Sequence, residues 1–126
     1  MNRQQKSVAE FHRAFDVPVS DTLTMPSNER LNLRVELIRE EYEEFKEAAA
    51  ARDIVEMADA LGDLLVVVNG AALELGIDLD PVFIEICKSN MSKLGVDGRP
   101  VFREDGKILK GPNYFKPNIK RVLFGG

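Results

Sequence analysis

The spacing of apolar residues predicts two long α-helices in the first half of the chain. Between residues 31 and 51, apolar positions recur every three or four residues, at Leu31, Val35, Ile38, Tyr42 and Phe45. Between residues 53 and 75, the same spacing runs through Ile54, Met57, Leu61, Leu64, Leu65, Val68, Ala72 and Leu75. Stripes with this period are typical of amphipathic helices that turn one side toward a core. We therefore expect both stripes to be buried.

The ends of these helices carry start and stop signals. Ser27 and Asp53 have side chains that commonly accept hydrogen bonds from the first free N–H groups of a helix. Gly76 follows the second stripe and is typical of a residue that ends a helix. The two stripes are joined only by residues 48–53. So short a connection predicts that the helices are antiparallel neighbours.

Two shorter helices and a β-hairpin complete the predicted fold. We expect a helix over residues 6–15, and Asp80-Pro81 has the pattern that starts another helix, which should run to about residue 94. Farther on, β-forming residues flank Asp105-Gly106, which is a signal of a type I′ turn. The expected fold class is all-α, similar to a four-helix bundle, with a short C-terminal hairpin and an irregular tail.

Acidic residues lie beside apolar residues on both long helices. At about 100° per residue, Glu41 and Glu44 fall on a flank of the first helix with Leu37 and Ala48. Glu40 lies at the border of that flank. These positions differ from the opposite side of the helix, where solvated glutamates are expected. The pattern therefore indicates carboxylates in partly apolar surroundings.

The second helix shows the same feature more clearly. Glu56, Asp59 and Asp63 cluster within about 60° of one another, and Val66 continues their face. A carboxylate in apolar surroundings needs a partner, yet residues 53–87 contain no lysine or arginine. The partner is then a cation from another segment or a bound metal. Several carboxylate oxygens on facing helices suit a hard divalent ion such as Mg²⁺.

Two structural explanations of these acids stay open. Glutamate favours both helices and solvent, so a Glu-Glu-x-x-Glu pattern occurs on many exposed helix surfaces. Asp53-x-x-Glu56 is also the spacing of a capping box, in which Glu56 would serve only the helix start. Neither explanation accounts for the apolar neighbours of Asp59 and Asp63.

Composition is typical of a globular protein. A chain of 126 residues, 44% hydrophobic and 30% charged, is expected to form a single domain with its own core. Its helical part should cover about residues 6–94 and a basic tail residues 95–126. The longest apolar run, residues 64–68, is far too short to cross a membrane. No signal-peptide core is visible, and the lone Cys87 excludes an internal disulfide framework. We therefore expect a cytoplasmic protein without a membrane partner.

The net charge of −4 conceals an asymmetry. Residues 1–87 have a balance of −10, from 18 acidic and 8 basic residues, and residues 88–126 a balance of +6, from 3 acidic and 9 basic residues. A basic tail can bind nucleic acid, but duplex-binding motifs are absent, and we expect an anionic small-molecule ligand. With one histidine, His12, and one cysteine, no Ser/His or Cys/His nucleophilic set is visible. A carboxylate di-iron site, which takes Glu-x-x-His from two helices, is also disfavoured.

Two acidic motifs together resemble the signature of a known enzyme superfamily. Glu40-Glu41-x-x-Glu44 followed by Glu56-x-x-Asp59 is similar to the signature of the all-α nucleoside triphosphate pyrophosphohydrolases, which include MazG, the dimeric dUTPases and phosphoribosyl-ATP pyrophosphohydrolase. The segments 89–93 and 105–114 resemble the MazG-related, phosphoribosyl-ATP-pyrophosphohydrolase-like branch.

The resemblance implies roles for seven residues, and we add an eighth, Asp63, from its position beside them. It makes Glu41, Glu44, Glu56 and Asp59 ligands of Mg²⁺, for which Mn²⁺ could substitute, and it makes Glu40 the base that activates water. Asn90 and Lys93 would contact the substrate phosphates, and Asp63, outside the four-ligand pattern, would support the substrate site or pair with Lys93. These assignments are what the superfamily implies for the matching positions.

The implied function is Mg²⁺-dependent hydrolysis of a nucleoside or deoxynucleoside triphosphate to the monophosphate and pyrophosphate, by direct attack of water. The superfamily also implies a MazG-type bundle that forms a homodimer or homotetramer. Three alternatives stay open. The chain could be phosphoribosyl-ATP pyrophosphohydrolase of histidine biosynthesis, a nucleotide- or metal-binding helical module without turnover, or a purely structural helical dimer.

Overall fold

The computed structural model describes residues 1–125, which form mostly α-helices. In chain order the elements are α1 (Arg3–Ala14), α2 (Asn28–Ala50), α3 (Ile54–Leu75), α4 (Leu79–Met91), β1 (Val101–Phe102), β2 (Ile108–Leu109) and α5 (Ile119–Phe124). The predicted all-α class and the C-terminal hairpin are confirmed. Helix α5 forms in the tail that we expected to be irregular.

The chain divides into two compact units, Met1–Leu79 and Asp80–Gly126. The first unit contains α1, α2 and α3, and the second contains the hairpin, α5 and α4 apart from its first residue. The single domain expected from the chain length stays a prediction. No one helix within residues 1–125 is long and apolar enough to cross a membrane; α3 and α4 meet that standard of length and composition only when counted together.

Local caps set the ends of α2 and α3, as predicted. The Ser27 hydroxyl accepts a hydrogen bond from the Arg30 amide at 3.2 Å. The Asp53 carboxylate accepts hydrogen bonds from two amides in the first turn of α3, each at 3.1 Å. Gly76 ends α3 with φ of 70°, and a Cβ at this position would collide with the carbonyl of Thr22. A larger residue therefore does not fit there.

Helix α4 begins one residue before Asp80, its predicted N-cap. The Leu79 amide donates to Oε1 of Gln5 at 3.1 Å, and the same buried side chain donates through Nε2 to the Ile77 carbonyl at 2.7 Å. Gln5 thus links α1 to the first residue of α4. The predicted start was wrong because this partner is remote in sequence. The helix ends at Met91, earlier than expected.

The hairpin has a longer loop than the type I′ turn that we predicted. Strands β1 and β2 pair in antiparallel register, and the Arg103 amide donates to the Lys107 carbonyl at 2.8 Å. Residues 104–106 therefore form a three-residue loop. Gly106 has φ of 87°, whereas Asp105 is not among the residues with positive φ. A type I′ turn needs positive φ at both central positions, so that prediction was wrong.

The apolar stripe of α2 is not fully buried, contrary to our expectation. Val35 is 66% exposed and Tyr42 is 52% exposed. The buried residues of α2 are Arg34 and Ala48. Arg34 can be buried because Glu74 of α3 faces it, with 2.9 Å between the Arg34 Nε and the Glu74 Oε2. The buried side of α2 therefore includes an ion-pair residue as well as a small apolar one.

The predicted stripe of α3 is also partly exposed. Ile54 is 74% exposed, and Leu61 and Leu65 are each 49% exposed. The buried positions of this helix are instead Ala60, Asn69, Gly70, Ala72, Leu73 and Glu74. Helix α1 contributes Val8 and Ala9 to a small core with Leu73. The two long helices therefore turn their partly polar sides toward each other and leave apolar side chains outside.

Candidate metal centre

Three carboxylates converge where α2 and α3 lie side by side. Glu41 and Glu44 belong to α2 and Asp63 to α3, and one oxygen of each lies within 4.8 Å of the others. The three-residue spacing places Glu41 and Glu44 on neighbouring positions of one helix face. Asp63 meets them because the short connection between Ala50 and Ile54 returns the chain beside α2. The predicted opposition of the two acidic clusters is thus present.

The convergence raises the pKa of two of these carboxylates. Burial, a hydrogen bond to Glu44 and the charges of Glu44, Asp63 and Asp59 raise the pKa of Glu41 from 4.5 to about 7. Burial and the charges of Asp59 and Glu44 raise the pKa of Asp63 above its ordinary value. Like charges this close disfavour complete ionisation. The cluster therefore retains a proton near neutral pH unless a cation neutralises it.

One carboxylate oxygen in the cluster has no protein partner. Glu41 Oε2 is shielded from solvent and makes no hydrogen bond with any residue that the structure describes. Buried polar atoms usually have a partner. A divalent cation would give this oxygen one and would neutralise the neighbouring charges. Because the donors are all carboxylate oxygens, the set fits a hard cation such as Mg²⁺.

A cleft of about 460 Å³ lies near the turn between α2 and α3. Glu44 and Glu47 line it from α2, and Glu56 and Asp59 line it from α3. Glu44 belongs to both the carboxylate cluster and the cleft. The other residues that line the cleft include three alanines, whose small side chains leave the acidic groups accessible. Three of the four predicted metal ligands therefore share one cavity, and Glu44 connects them to the fourth, Glu41.

Two of the assigned residues occupy positions that differ from the sequence pattern. Asp63, which the motif leaves outside the four ligands, is one of the three carboxylates that approach most closely. Glu40, the predicted base, is exposed and is neither in the cluster nor among the residues that line the cleft. Both functional roles stay predictions.

Asn90 and Lys93 belong to the second unit, where α4 ends. Asn90 is exposed and Lys93 is half-buried. The polar segment around them was expected to bind phosphate, and that role also stays a prediction.

The serines of this segment have a structural role that the sequence pattern does not predict. The Ser89 hydroxyl donates to the Phe115 carbonyl at 2.8 Å, and the Ser92 hydroxyl accepts from the Phe115 amide at 3.1 Å. The Gly111 amide donates to the carbonyl of Lys93 at 2.8 Å. These bonds hold the tail against the end of α4.

A buried ion-pair group in the first unit is also absent from the sequence prediction. Arg30 donates to Glu74 through Nε at 2.8 Å and through Nη2 at 2.9 Å, and Arg34 Nε lies 2.9 Å from Glu74 Oε2. A signal was available, since Glu74 is the only charged residue between positions 64 and 77. A lone charge in an apolar helical segment requires a cation from elsewhere.

Comparison with known proteins gives three similarities. Residues 8–90 match the phosphoribosyl-ATP pyrophosphohydrolase family. The chain is 34% identical over 121 residues to Uncharacterized protein L479 of Acanthamoeba polyphaga mimivirus. The match covers 93% of this chain and 45% of the mimivirus protein, so the chain spans less than half the length of that relative. A crystal structure from Exiguobacterium sp. 255-15, of a protein provisionally designated an NTP pyrophosphohydrolase, is 25% identical, with a TM-score of 0.49 and coverage of 94% of this chain and 91% of that one.

Proposed function

Since this chain belongs to the phosphoribosyl-ATP pyrophosphohydrolase family, we propose that it is a metal-dependent pyrophosphohydrolase that cleaves a nucleoside or deoxynucleoside triphosphate to the monophosphate and pyrophosphate. The observation that carries the proposal is the convergence of Glu41, Glu44 and Asp63 within 4.8 Å. Such a group would be costly in a helix pair that served only to pack, because its charges repel.

We propose Mg²⁺ as the ion, with Mn²⁺ as a substitute, since both take carboxylate and water oxygens. Glu41, Glu44 and Asp63 would hold it, with Glu56 and Asp59 supplying further oxygens from the neighbouring cleft. When bound, such an ion neutralises phosphate charge and makes water more acidic. The buried Oε2 of Glu41 supports this assignment, because it makes no hydrogen bond with any residue that the structure describes.

We propose the remaining roles for Glu40, Asn90 and Lys93, the residues for which the superfamily resemblance implies them. Glu40 would accept the proton of the attacking water, since its exposed carboxylate is free to take up a proton and release it to solvent. Asn90 and Lys93 would donate hydrogen bonds to the phosphate chain, with the lysine adding a positive charge that compensates the substrate. These contacts would orient the chain for direct displacement by water, without a covalent enzyme intermediate.

Phosphoribosyl-ATP is the second candidate substrate, favoured by the family that matches residues 8–90. It carries the same triphosphate group, so the same carboxylates and the same displacement would serve. In that case the protein would act in histidine biosynthesis. We place either reaction in the cytoplasm, in keeping with the single cysteine.

We also propose that the protein works as a homodimer or homotetramer. The exposed apolar residues of α3 include Leu61, Leu65 and Val68, which share one side of the helix. Contiguous apolar surface of this kind usually marks an interface. A second copy that covers this side of α3 would complete the bundle that the first unit leaves open. Sedimentation velocity at several protein concentrations tests this: a monomer at all of them would contradict the proposal.

A turnover assay with a matched pair of variants tests the proposed function. Pyrophosphate release is measured with Mg²⁺ and a panel of ribo- and deoxyribonucleoside triphosphates and phosphoribosyl-ATP, for wild type, Glu44→Gln and Glu43→Gln. Glu44 belongs to both the cluster and the cleft, whereas its neighbour Glu43 belongs to neither. We expect Glu44→Gln alone to lose metal-dependent turnover. Equal turnover in both variants would contradict the assignment, and binding without turnover would favour a nucleotide-binding module.

A further inference from the structure

We propose that the ion pairs of Arg30 and Arg34 with Glu74 form a positioning clamp that sets the register of α2 against α3 and so brings the metal-centre carboxylates together. The clamp consists of these three residues. Its importance for metal binding rests on the proposed function, but its effect on the register of the helices can be measured separately.

Glu74 and Arg34 are the buried members of the clamp, and both oxygens of Glu74 face guanidinium groups. The side chain of Glu74 is 1% exposed and that of Arg34 is 11% exposed. Arg30 donates hydrogen bonds to both oxygens of the carboxylate. Arg34 Nε lies 2.9 Å from one of them and contributes through its charge, since this nitrogen makes no hydrogen bond. A carboxylate held by two guanidinium groups tolerates little displacement, because any sliding of α2 along α3 would leave a charge buried without its partner. The clamp therefore resists changes in register.

The spacing of residues connects the clamp to the metal centre. Arg30 and Glu41 are eleven residues apart on α2, and Glu74 and Asp63 are eleven residues apart on α3. Eleven residues are close to three helical turns, or about 16 Å. Because the helices are antiparallel, the register that pairs Arg30 with Glu74 also places Glu41 opposite Asp63. One register thus satisfies both contacts.

The carboxylates need such a restraint because they repel one another. On one side of the cluster, the helices are joined by a turn in which the Asp53 amide donates to the Ala48 carbonyl at 3.0 Å. On the other side lies the clamp. The cluster is therefore enclosed between two points of attachment. Without the second attachment, repulsion would separate α2 from α3 beyond the turn.

Helix α1 supports the clamp from behind. The His12 side chain is buried, and its Nδ1–H donates to the Pro18 carbonyl at 3.0 Å, which agrees with a packing role for the only histidine. A Cβ on Gly70 would lie 2.9 Å from His12 Nε2 and would collide with Arg34 Nη1. The absence of a side chain at Gly70 therefore allows the imidazole and the guanidinium to pack against α3. His12 limits the room in which Arg34 can move.

Two variants separate positioning from a general contribution to stability. Glu74→Gln removes the charge of the acceptor and keeps its shape. The double variant Arg34→Met, Glu74→Met replaces the most buried pair with apolar side chains of similar length, which can restore stability without restoring the ion pair. Arg30 is 33% exposed and can turn to solvent. Glu36→Gln is the control, because it breaks an exposed pair with Arg39 within α2.

Three measurements are made on each variant in a Cys87→Ser background. Spin labels at the exposed positions Asn32 and Val66, on the clamp side of the cluster, report the distance between α2 and α3 in the metal-free protein. Mn²⁺ titration reports metal affinity, and thermal unfolding reports stability. We expect both clamp variants to change or broaden the label distance by about 2 Å, the scale of helix shifts at interfaces. Metal affinity should fall on the order of 10-fold or more, even where the double variant recovers its Tm.

The outcomes show whether the clamp positions the helices or contributes only to stability. If the double variant recovers the Tm, the label distance and the Mn²⁺ affinity of the wild type, the ion pairs are only structural and the clamp is refuted. If Glu74→Gln does not fold, the double variant supplies the same comparison. A changed label distance with no Mn²⁺ binding to wild type would support the clamp and contradict the proposed metal centre. Changes in Glu36→Gln as large as those in the clamp variants would also refute the clamp.

Discussion

The raised pKa of Glu41 should make the stability of the metal-free protein fall as pH rises. The folded chain holds the Glu41 proton up to a pKa of about 7, whereas the ordinary value is 4.5. Below pH 4.5 both states are protonated and the full stability is present. Between pH 4.5 and 7 the unfolded chain releases this proton while the folded chain retains it, so the free energy of unfolding decreases. Glu41→Gln has no such proton and should show a weaker decrease, to which the raised pKa of Asp63 still contributes.

The size of the effect follows from the shift. A change from 4.5 to about 7 corresponds to about 3 kcal/mol at most, since one pKa unit is about 1.4 kcal/mol. Glu44, the charge with the largest effect on the pKa of Glu41, is itself exposed, so screening by water should reduce the loss to about 1–2 kcal/mol. For a chain of this length that is about 3–8 °C in Tm. Bound Mg²⁺ should reverse the trend, because it stabilises the folded state with ionised carboxylates.

Thermal unfolding measures how the Tm depends on pH. It is followed from pH 4 to 8.5, with and without Mg²⁺, at one protein concentration. Glu43→Gln is the matched control on the same helix. Without metal, the Tm of Glu41→Gln should exceed that of wild type by about 3–8 °C at pH 8 and should equal it near pH 4. Glu43→Gln should follow wild type at both pH values. With Mg²⁺, only the proteins that retain Glu41 should gain stability as pH rises. Parallel curves for wild type and Glu41→Gln would refute the reasoning.

Three further predictions concern single residues. Gly70→Ala should lower the free energy of unfolding by about 1–3 kcal/mol because its Cβ overlaps Arg34. Gly62→Ala, with no atom within 4 Å of its added Cβ, should raise it by up to about 1 kcal/mol. Denaturant unfolding measures both, and equal effects would contradict the packing of Arg34 against Gly70. Glu40→Gln should lower kcat roughly 10²-fold and keep the Mg²⁺-induced rise in Tm, and full activity would place the base elsewhere. Lys93→Ala should raise KM and lower kcat together; unchanged kinetics would exclude Lys93 from the phosphate site.

Local chemistry made parts of the fold predictable. Ser27, Asp53 and Gly76 act through backbone groups only a few residues away, so their roles could be read directly from the chain. The short connection between the two long helices likewise predicted that Glu41 and Glu44 would face the acids of α3. The resemblance to the all-α pyrophosphohydrolases is confirmed by the family match over residues 8–90.

The parts that were not predicted depend on partners distant in sequence. Apolar spacing alone could not show that Arg34 finds Glu74 and is buried with it, on the side of α2 that faces α3. The start of α4 depends in the same way on Gln5, which lies more than seventy residues earlier. The inclusion of Asp63 among the closest carboxylates follows from this register, which the motif spacing does not contain.

The products of hydrolysis test the central proposal most directly. Wild-type protein is incubated with Mg²⁺ and each nucleoside triphosphate, and separately with phosphoribosyl-ATP, and the phosphorus-containing products are identified by ³¹P NMR. We predict a monophosphate and pyrophosphate in equal amounts from at least one substrate, with no product when Mg²⁺ is chelated. Release of orthophosphate and a diphosphate, or no hydrolysis of any substrate, would contradict the proposed pyrophosphohydrolase.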